Sequence, residues 1–464
     1  MITLENRFFP VRSAVCFLVE GGIILLSVLA SFALLQGSGG DGIVDLQDAL
    51  IRGVVIAVFC QACMYFLDLY DLKHSQARGE LFFSIVFAIG FVCIGIGLVS
   101  FCVPDFGVEG KMYYLTIVFV AAFLLLWRIA FDYYLAELAP RQNLLIVGTG
   151  SVARMVAQEV KERERLGFKL VGFVAAPSEL EARVGSIGKV LGDYPDLPML
   201  VKNYSVRELV VALGERRGEY PVKEMLHLKV SGCKVVEWPG FFEKLAGRIP
   251  IDNLSPSFFI FSQGFQKSKI VLAIRRVISM LISALMLIVL LPILAVVAIL
   301  IKLDSPGAII YSQDRVGQNG RLFRIYKFRS MRNDAEADGT PRWASKDDDR
   351  ITRVGRIIRI LRIDELPQLF NVLQGDLDLV GPRPERPAFV EELQRLFPYY
   401  SLRHTVKPGL TGWAQVMFMY SGTIEESKEK LQYDLCYIKN MSVKLDLLIL
   451  FKTMKIVLLG RGAR

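Results

Sequence analysis

The chain has 464 residues, 53% of them hydrophobic and only 22% charged, with a formal net charge of +9. That length is enough for about three domains at roughly 150 residues each, and the apolar excess argues against a wholly soluble chain. The positive surplus lies in residues 267–464, with 31 basic against 20 acidic side chains, while residues 1–266 carry 24 against 26.

Four apolar stretches, at roughly 12–35, 50–69, 81–103 and 112–136, each have the length of a bilayer-spanning helix. No polar face recurs on them, which disfavours four buried helices of a soluble protein. Arg7 and Arg12 precede the first stretch, and no small-residue cleavage motif follows it, so it reads as a retained helix. Lys73 and Arg78 lie between the second and third, and Arg128 and Arg141 close the fourth. By the positive-inside rule both ends of this bundle face the cytoplasm. Of the seven cysteines, Cys60 and Cys63 form a Cys-x-x-Cys inside an apolar run, which reads as packing.

Residues 143–240 read as a soluble α/β unit. "NLLIVGTGSVARMVAQEV" is a strand, a Gly-x-Gly turn (Gly148, Gly150) and a helix, and "FKLVGFV" and "RELVVAL" are further buried strands. The order resembles half of a Rossmann fold. Glu179 is the acid that follows the second strand, and it is not well placed to hold a ribose, so a structural or regulatory domain is favoured over dinucleotide binding.

A fifth apolar segment, 277–301, starts after Arg275-Arg276, ends at Lys302 and contains Pro292. A proline inside a helix removes a hydrogen bond and breaks or kinks it. Basic flanks on both sides favour a re-entrant hairpin that enters and leaves by the cytoplasmic face, against a kinked spanning helix. The stretch "VKLDLLILFKTMKIVLLG" suits a helix at a membrane surface. Domain limits are expected at 1–140, 141–254 and 255–464.

Three scattered histidines and no Cys/His spacing exclude a zinc centre, and no nucleophile elbow or Walker loop is present. The chemistry therefore falls on carboxylates and guanidinium groups. Between Ile351 and Ile363, Val354, Ile357, Ile358 and Leu361 share one helical face, with Arg353, Arg356, Arg359 and Arg362 off it. Such a row repels itself. It suits solvent, an anionic membrane or a phosphate-rich ligand about equally.

Asp364 and Glu365 stand at or just before the start of a helix. Pro367 suits its first turn, Leu366, Leu369, Phe370 and Leu373 form its stripe, and Gly375 suits its stop. Plain capping needs only one acid. Nearby cations would keep both carboxylates ionised. An ionised carboxylate is a poor general acid but a fair nucleophile towards phosphorus and a good ligand for Mg²⁺. One could attack while its neighbour holds the metal. Arg383, between two prolines, has a stiff backbone that aims its fork. Lys327 and Arg329, two apart, would share one side if that segment is a strand, and both are candidate phosphate contacts.

The motifs "YSQDRVGQNGRLFRIYKFRSM", "DELPQLFNVLQGDLDLVGPRPE" and "RHTVKPGLTGWAQV", in this order within 265–464, resemble the bacterial sugar transferases, monotopic polyprenyl-phosphate glycosyl-1-phosphate transferases. The N-terminal bundle and, more loosely, the middle domain resemble the large exopolysaccharide-type members. The resemblance implies a membrane helical bundle, a Rossmann-like α/β middle domain and an α+β catalytic domain with a re-entrant helix broken at Pro292. It implies transfer of a sugar-1-phosphate from a UDP-sugar to undecaprenyl phosphate, releasing UMP. Asp364 would be the nucleophile and Glu365 would assist with Mg²⁺. Lys327, Arg359, Arg383 and Arg403 would be phosphate contacts, and Asp434 matches an acid of open role. It further implies the bacterial inner membrane, a cytoplasmic catalytic face, no nucleic acid partner and a homodimer. Rival readings are a glycosyltransferase releasing UDP, a non-catalytic scaffold of polysaccharide assembly, and a nucleotide-sugar dehydratase in the middle domain.

Overall fold

The computed structural model describes the chain except residues 1–10, 37–45, 71–82, 84, 92, 95–109, 136–138, 165–166, 180–186, 214–219, 333–349, 419–422 and 461–464. Arg7, Lys73, Arg78 and most of the third apolar stretch lie outside the described residues. Two compact units are present, Met1–Phe241 and Phe242–Arg464.

In the first unit, α1 (Val11–Gln36), α2 (Leu46–Phe66) and α3 (Gly110–Tyr133) are long and apolar enough to cross a membrane. They meet through Ile24, Val28, Ile56, Cys60, Met64, Val120 and Leu124. Cys60 is fully buried and unbridged, as packing requires. Arg128 departs from its expected place as a flanking charge. It is 3% exposed, and its Nη2 donates to Glu20 Oε2 at 3.0 Å and its Nη1 to the Leu69 carbonyl at 2.6 Å. A charge among apolar helices is tolerated when paired in this way, so it ties α1, α3 and the turn after α2 together.

The same unit holds β1 (Gln142–Val147), α4 (Ser151–Glu162), β2 (Phe168–Val174), β3 (Val190–Gly192), β4 (Glu208–Val211) and β5 (Lys234–Glu237). All pairs are parallel, in the order β3-β2-β1-β4-β5. This is the strand order of a dinucleotide-binding fold. The apolar runs of β1 and β4 are buried on both faces, as a covered parallel sheet requires. Gly148 has φ +115°, and a Cβ there would lie 2.6 Å from the Ala212 carbonyl oxygen, so the turn needs glycine. Glu179 does reach this turn: Thr149 Oγ1 donates to its Oε2 at 2.7 Å.

The second unit is organised on α5 (Lys269–Asp304), 36 residues long; the break expected at Pro292 is not present, and the helix runs on through it. Arg275, Ser279, Ser283 and Leu287 are its buried face at intervals of four, followed by Val297 and Ile301. The opposite face, with Leu281, Ile288, Leu291 and Leu303, is exposed. Near its start, Arg275 Nε donates to Asp446 Oδ2 at 2.6 Å and Arg276 Nη2 to the Leu373 carbonyl at 3.2 Å. Near its end, Val297 and Ile301 pack against Phe328 and Ile358.

Around α5 stand an antiparallel hairpin of β6 (Ile310–Val316) and β7 (Leu322–Phe328), then α6 (Arg353–Ile360), α7 (Gln368–Gln374), the parallel pair β8 (Asp378–Val380) and β9 (Gly409–Thr411), α8 (Ile424–Asn440) and α9 (Val443–Leu458). On α9, Leu447, Phe451, Met454 and Leu458 are exposed.

Candidate functional site

The apolar face expected on 351–363 is divided. Val354 and Ile358 turn into the cluster around Val297, while Ile357 and Leu361 are 59% and 49% exposed. Thr352 Oγ1 caps α6 by accepting from Gly355 N at 2.9 Å. Arg353 and Arg356 are exposed, and Arg359 and Arg362 are half-buried. Arg362 adopts the left-handed region (φ 57°), which reverses the chain into a short 3₁₀ turn, Ile363–Glu365. Pro367 follows, then α7, whose stop is Gly375 at φ 101°. The expected stripe departs in one place: Phe370 is 52% exposed, and Asn371 and Val372 fill the buried side. Asn371 pins α7 to β7, accepting from Tyr326 N at 3.1 Å and donating to the Arg324 carbonyl at 2.7 Å.

The reversal separates the two carboxylates. Glu365 collects the cations: Arg383 Nη2 donates to Oε1 at 2.5 Å, Arg383 Nη1 to Oε2 at 3.4 Å and Lys327 Nζ to Oε1 at 3.1 Å. Asp364 is 8% exposed, and its Oδ1 is buried with no hydrogen-bond partner among the described residues. The expectation that both acids are held low is therefore corrected. Burial, with Glu365 adding to it, pushes Asp364 up to about 6, against the pull of Lys327, Arg359 and Arg362. Burial also acts on Glu365, but Arg383 and Lys327 overcome it and hold that carboxyl well below its usual range. The capping role considered for Asp364 is not seen, since the start of α7 has no side-chain cap.

Arg403 and Asp434 form a second buried pair at 3.0 Å. Arg403 also donates to the Tyr400 hydroxyl, and its Nη2 donates to the Arg383 carbonyl at 2.8 Å. Arg315 Nη1 donates to the neighbouring Pro384 carbonyl at 3.2 Å. These guanidinium groups hold the backbone that aims Arg383. Burial pushes Asp434 up to about 6. Lys430, one turn before it on α8, is brought down to about 8 by burial.

Arg329 does not join the site. It falls just beyond the end of β7, so the strand alternation that would place it beside Lys327 has ceased. Its Nη2 donates to the Ser305 carbonyl at 2.7 Å and its Nη1 to the Pro306 carbonyl at 3.1 Å, at the end of α5. Sequence reasoning missed Arg315 and Lys430. The second had a signal in its spacing of four from Asp434. The first had none apart from its place in a quoted motif.

Among the described residues, no three His, Cys, Asp or Glu side chains gather into a metal cage. The arrangement offers one unpartnered carboxylate oxygen beside a cation cluster.

Residues 270–460 match the family described as bacterial sugar transferase, and residues 65–236 match a CoA-binding domain. An undecaprenyl-phosphate glucose phosphotransferase of Komagataeibacter xylinus is 30% identical over 98% of this chain and 86% of its own length. A UDP-N-acetylgalactosamine-undecaprenyl-phosphate N-acetylgalactosaminephosphotransferase of Aeromonas hydrophila is 46% identical over 52% of this chain. That match spans 55% of the Aeromonas protein, about half its length. A UDP-glucose:undecaprenyl-phosphate glucose-1-phosphate transferase of Escherichia coli (strain K12) is 31% identical over 68% of this chain and 67% of its own length.

Proposed function

The chain belongs to the bacterial sugar transferase family, and from that premise we propose that it is a membrane phosphotransferase moving a sugar-1-phosphate from a UDP-sugar to undecaprenyl phosphate. An Asp364 carboxylate oxygen attacks the sugar-bearing phosphorus. The bond from that phosphorus to the bridging oxygen breaks, and UMP leaves with the electron pair. A phosphate oxygen of undecaprenyl phosphate then attacks the same phosphorus, the acyl phosphate bond breaks and the carboxylate is restored. The observation that carries this reading is the unpartnered, buried Asp364 Oδ1 beside Glu365, Lys327 and Arg383. A nucleophile must have a free oxygen, and phosphoryl transfer needs cations placed where charge builds up.

Lys327, Arg359 and Arg383 would meet the diphosphate. Arg403 and Asp434 act through the Arg383 backbone. Mg²⁺ would be held by Asp364 or by Glu365 after release of a cation contact, and when bound it would neutralise diphosphate charge. The split carboxyl values support one ready nucleophile and one permanently charged neighbour.

The packing of α5 supports a membrane placement on one face. Its two arms pack on the same compact unit, although a straight helix would part Arg275 from Ile301 by about 39 Å at 1.5 Å per residue. A spanning helix would leave that unit on both sides of the bilayer. An α5 that enters and leaves by one face would keep it on one side, which we take as the cytoplasmic face of the inner membrane, where a UDP-sugar would be met.

The test is a panel of UDP-sugars, UDP-glucose and UDP-N-acetylgalactosamine included, with undecaprenyl phosphate and Mg²⁺. UMP release dependent on the lipid supports the proposal. Release of UDP would replace it with a glycosyltransferase.

A further inference from the structure

On the helical run that carries the carboxylate pair, two buried polar atoms have no partner among the described residues: Asp364 Oδ1 and Gln368 Nε2. Gln368 is 2% exposed. Native interiors leave few such atoms, and each calls for a cause. The 3₁₀ turn Ile363–Glu365 leads through Leu366 and Pro367 directly into α7, so the two residues lie four positions apart on one right-handed stretch. One of the two atoms is an acceptor and the other a donor, yet they do not bond to each other. A group lying against both could offer an electrophile to the first and an acceptor to the second. A phosphoryl group does both, through its phosphorus and its non-bridging oxygens.

We propose that the side-chain amide of Gln368 binds the phosphoryl group under transfer. This rests on the reading of Asp364 as the nucleophile. Gln368 forms no covalent bond. It donates to a phosphoryl oxygen and orients that group on the Asp364 side of the cation cluster. Being neutral, the amide adds direction where Lys327 and Arg383 add charge.

A glutamine held only by packing behaves differently. Replacing it with methionine removes an unmet polar group, so stability would hold or rise with activity unchanged. The experiment compares full-length Gln368→Met and Gln368→Glu with the parent, in detergent, for melting temperature and UMP release at pH 8. The expected result is a Gln368→Met chain that melts at or above the parent temperature with kcat/KM at least tenfold lower. Activity within twofold of the parent overturns the proposal. Should the methionine chain not fold, the isosteric Gln368→Glu decides by the same thresholds, because its carboxylate repels the phosphoryl oxygens. Asp364→Asn is assayed in parallel. If that variant keeps UMP release, the nucleophile reading fails. If it loses release and Gln368→Met does not, only the present proposal fails.

Discussion

Asp364→Asn separates activity from stability. In the folded chain this acid keeps its proton up to about pH 6, and its ordinary value is 3.8. Between these values the folded state binds more protons than the unfolded state, so stability falls as pH rises through the window. At pH 7 the ionised, buried carboxylate destabilises the fold by about 3 kcal/mol. An asparagine carries no charge and escapes most of that cost, although its own amide must also be buried. For a unit of this size each kcal/mol is worth about 2–4 °C, so the variant is expected to melt roughly 5–10 °C higher at pH 7.5. The gain should shrink towards pH 4, where the parent is protonated too. UMP release should be abolished at every pH. Thermal unfolding of both chains in the same detergent between pH 4.5 and 8, with a UMP assay alongside, tests both halves. A melting temperature that is unchanged or lower at pH 7.5 refutes the burial argument. Near-parental UMP release refutes the nucleophile.

The same ionisation predicts that kcat/KM rises about tenfold per pH unit below about 6 and levels off above it; a flat profile from pH 5 to 8 would remove Asp364 as the titrating group. Arg383→Lys keeps a charge but loses the two-pronged contact to Glu365. A charged hydrogen bond is worth about 1.5–3 kcal/mol, so kcat/KM for the UDP-sugar should fall roughly 10- to 100-fold, read in initial-rate assays. Arg329→Gln leaves the carbonyls at the end of α5 without their donor. It should lower stability by about 2 kcal/mol in denaturant titrations, with UMP release per folded molecule within threefold of the parent. The opposite pattern would return Arg329 to the substrate. Asp434→Asn leaves Arg403 buried and unpaired, at a cost of about 3–5 kcal/mol. Urea titration reads it, and a loss under 1 kcal/mol would show that the pair is not structural.

Local patterns were legible without coordinates. Uniformly apolar runs mark α1, α2, α3 and α5, because a helix that must face lipid has no polar side. Strand, glycine turn and helix mark the middle sheet, and "FKLVGFV" is β2 residue for residue. Gly375 was expected as a stop and occupies the left-handed cap. Phe370, Ile357 and Leu361 were not legible as exposed residues, since spacing shows which side chains share a face but not which part of that face is covered.

The amino-acid sequence by itself determined the elements, the adjacent carboxylates and the basic C-terminal half, since each depends on neighbours along the chain. Only the tertiary structure decided how charge is distributed among them. Asp364 and Glu365 differ by one position, yet one keeps an unpartnered oxygen and the other holds two cations, because Lys327 and Arg383 arrive from segments 38 and 18 residues away. In the sequence Arg128 reads as a flanking charge and Arg329 as a neighbour of Lys327, and partners 108 and 24 residues away turn them into structural ones. Burial and ion pairing are set by distance in space, and sequence separation does not encode it.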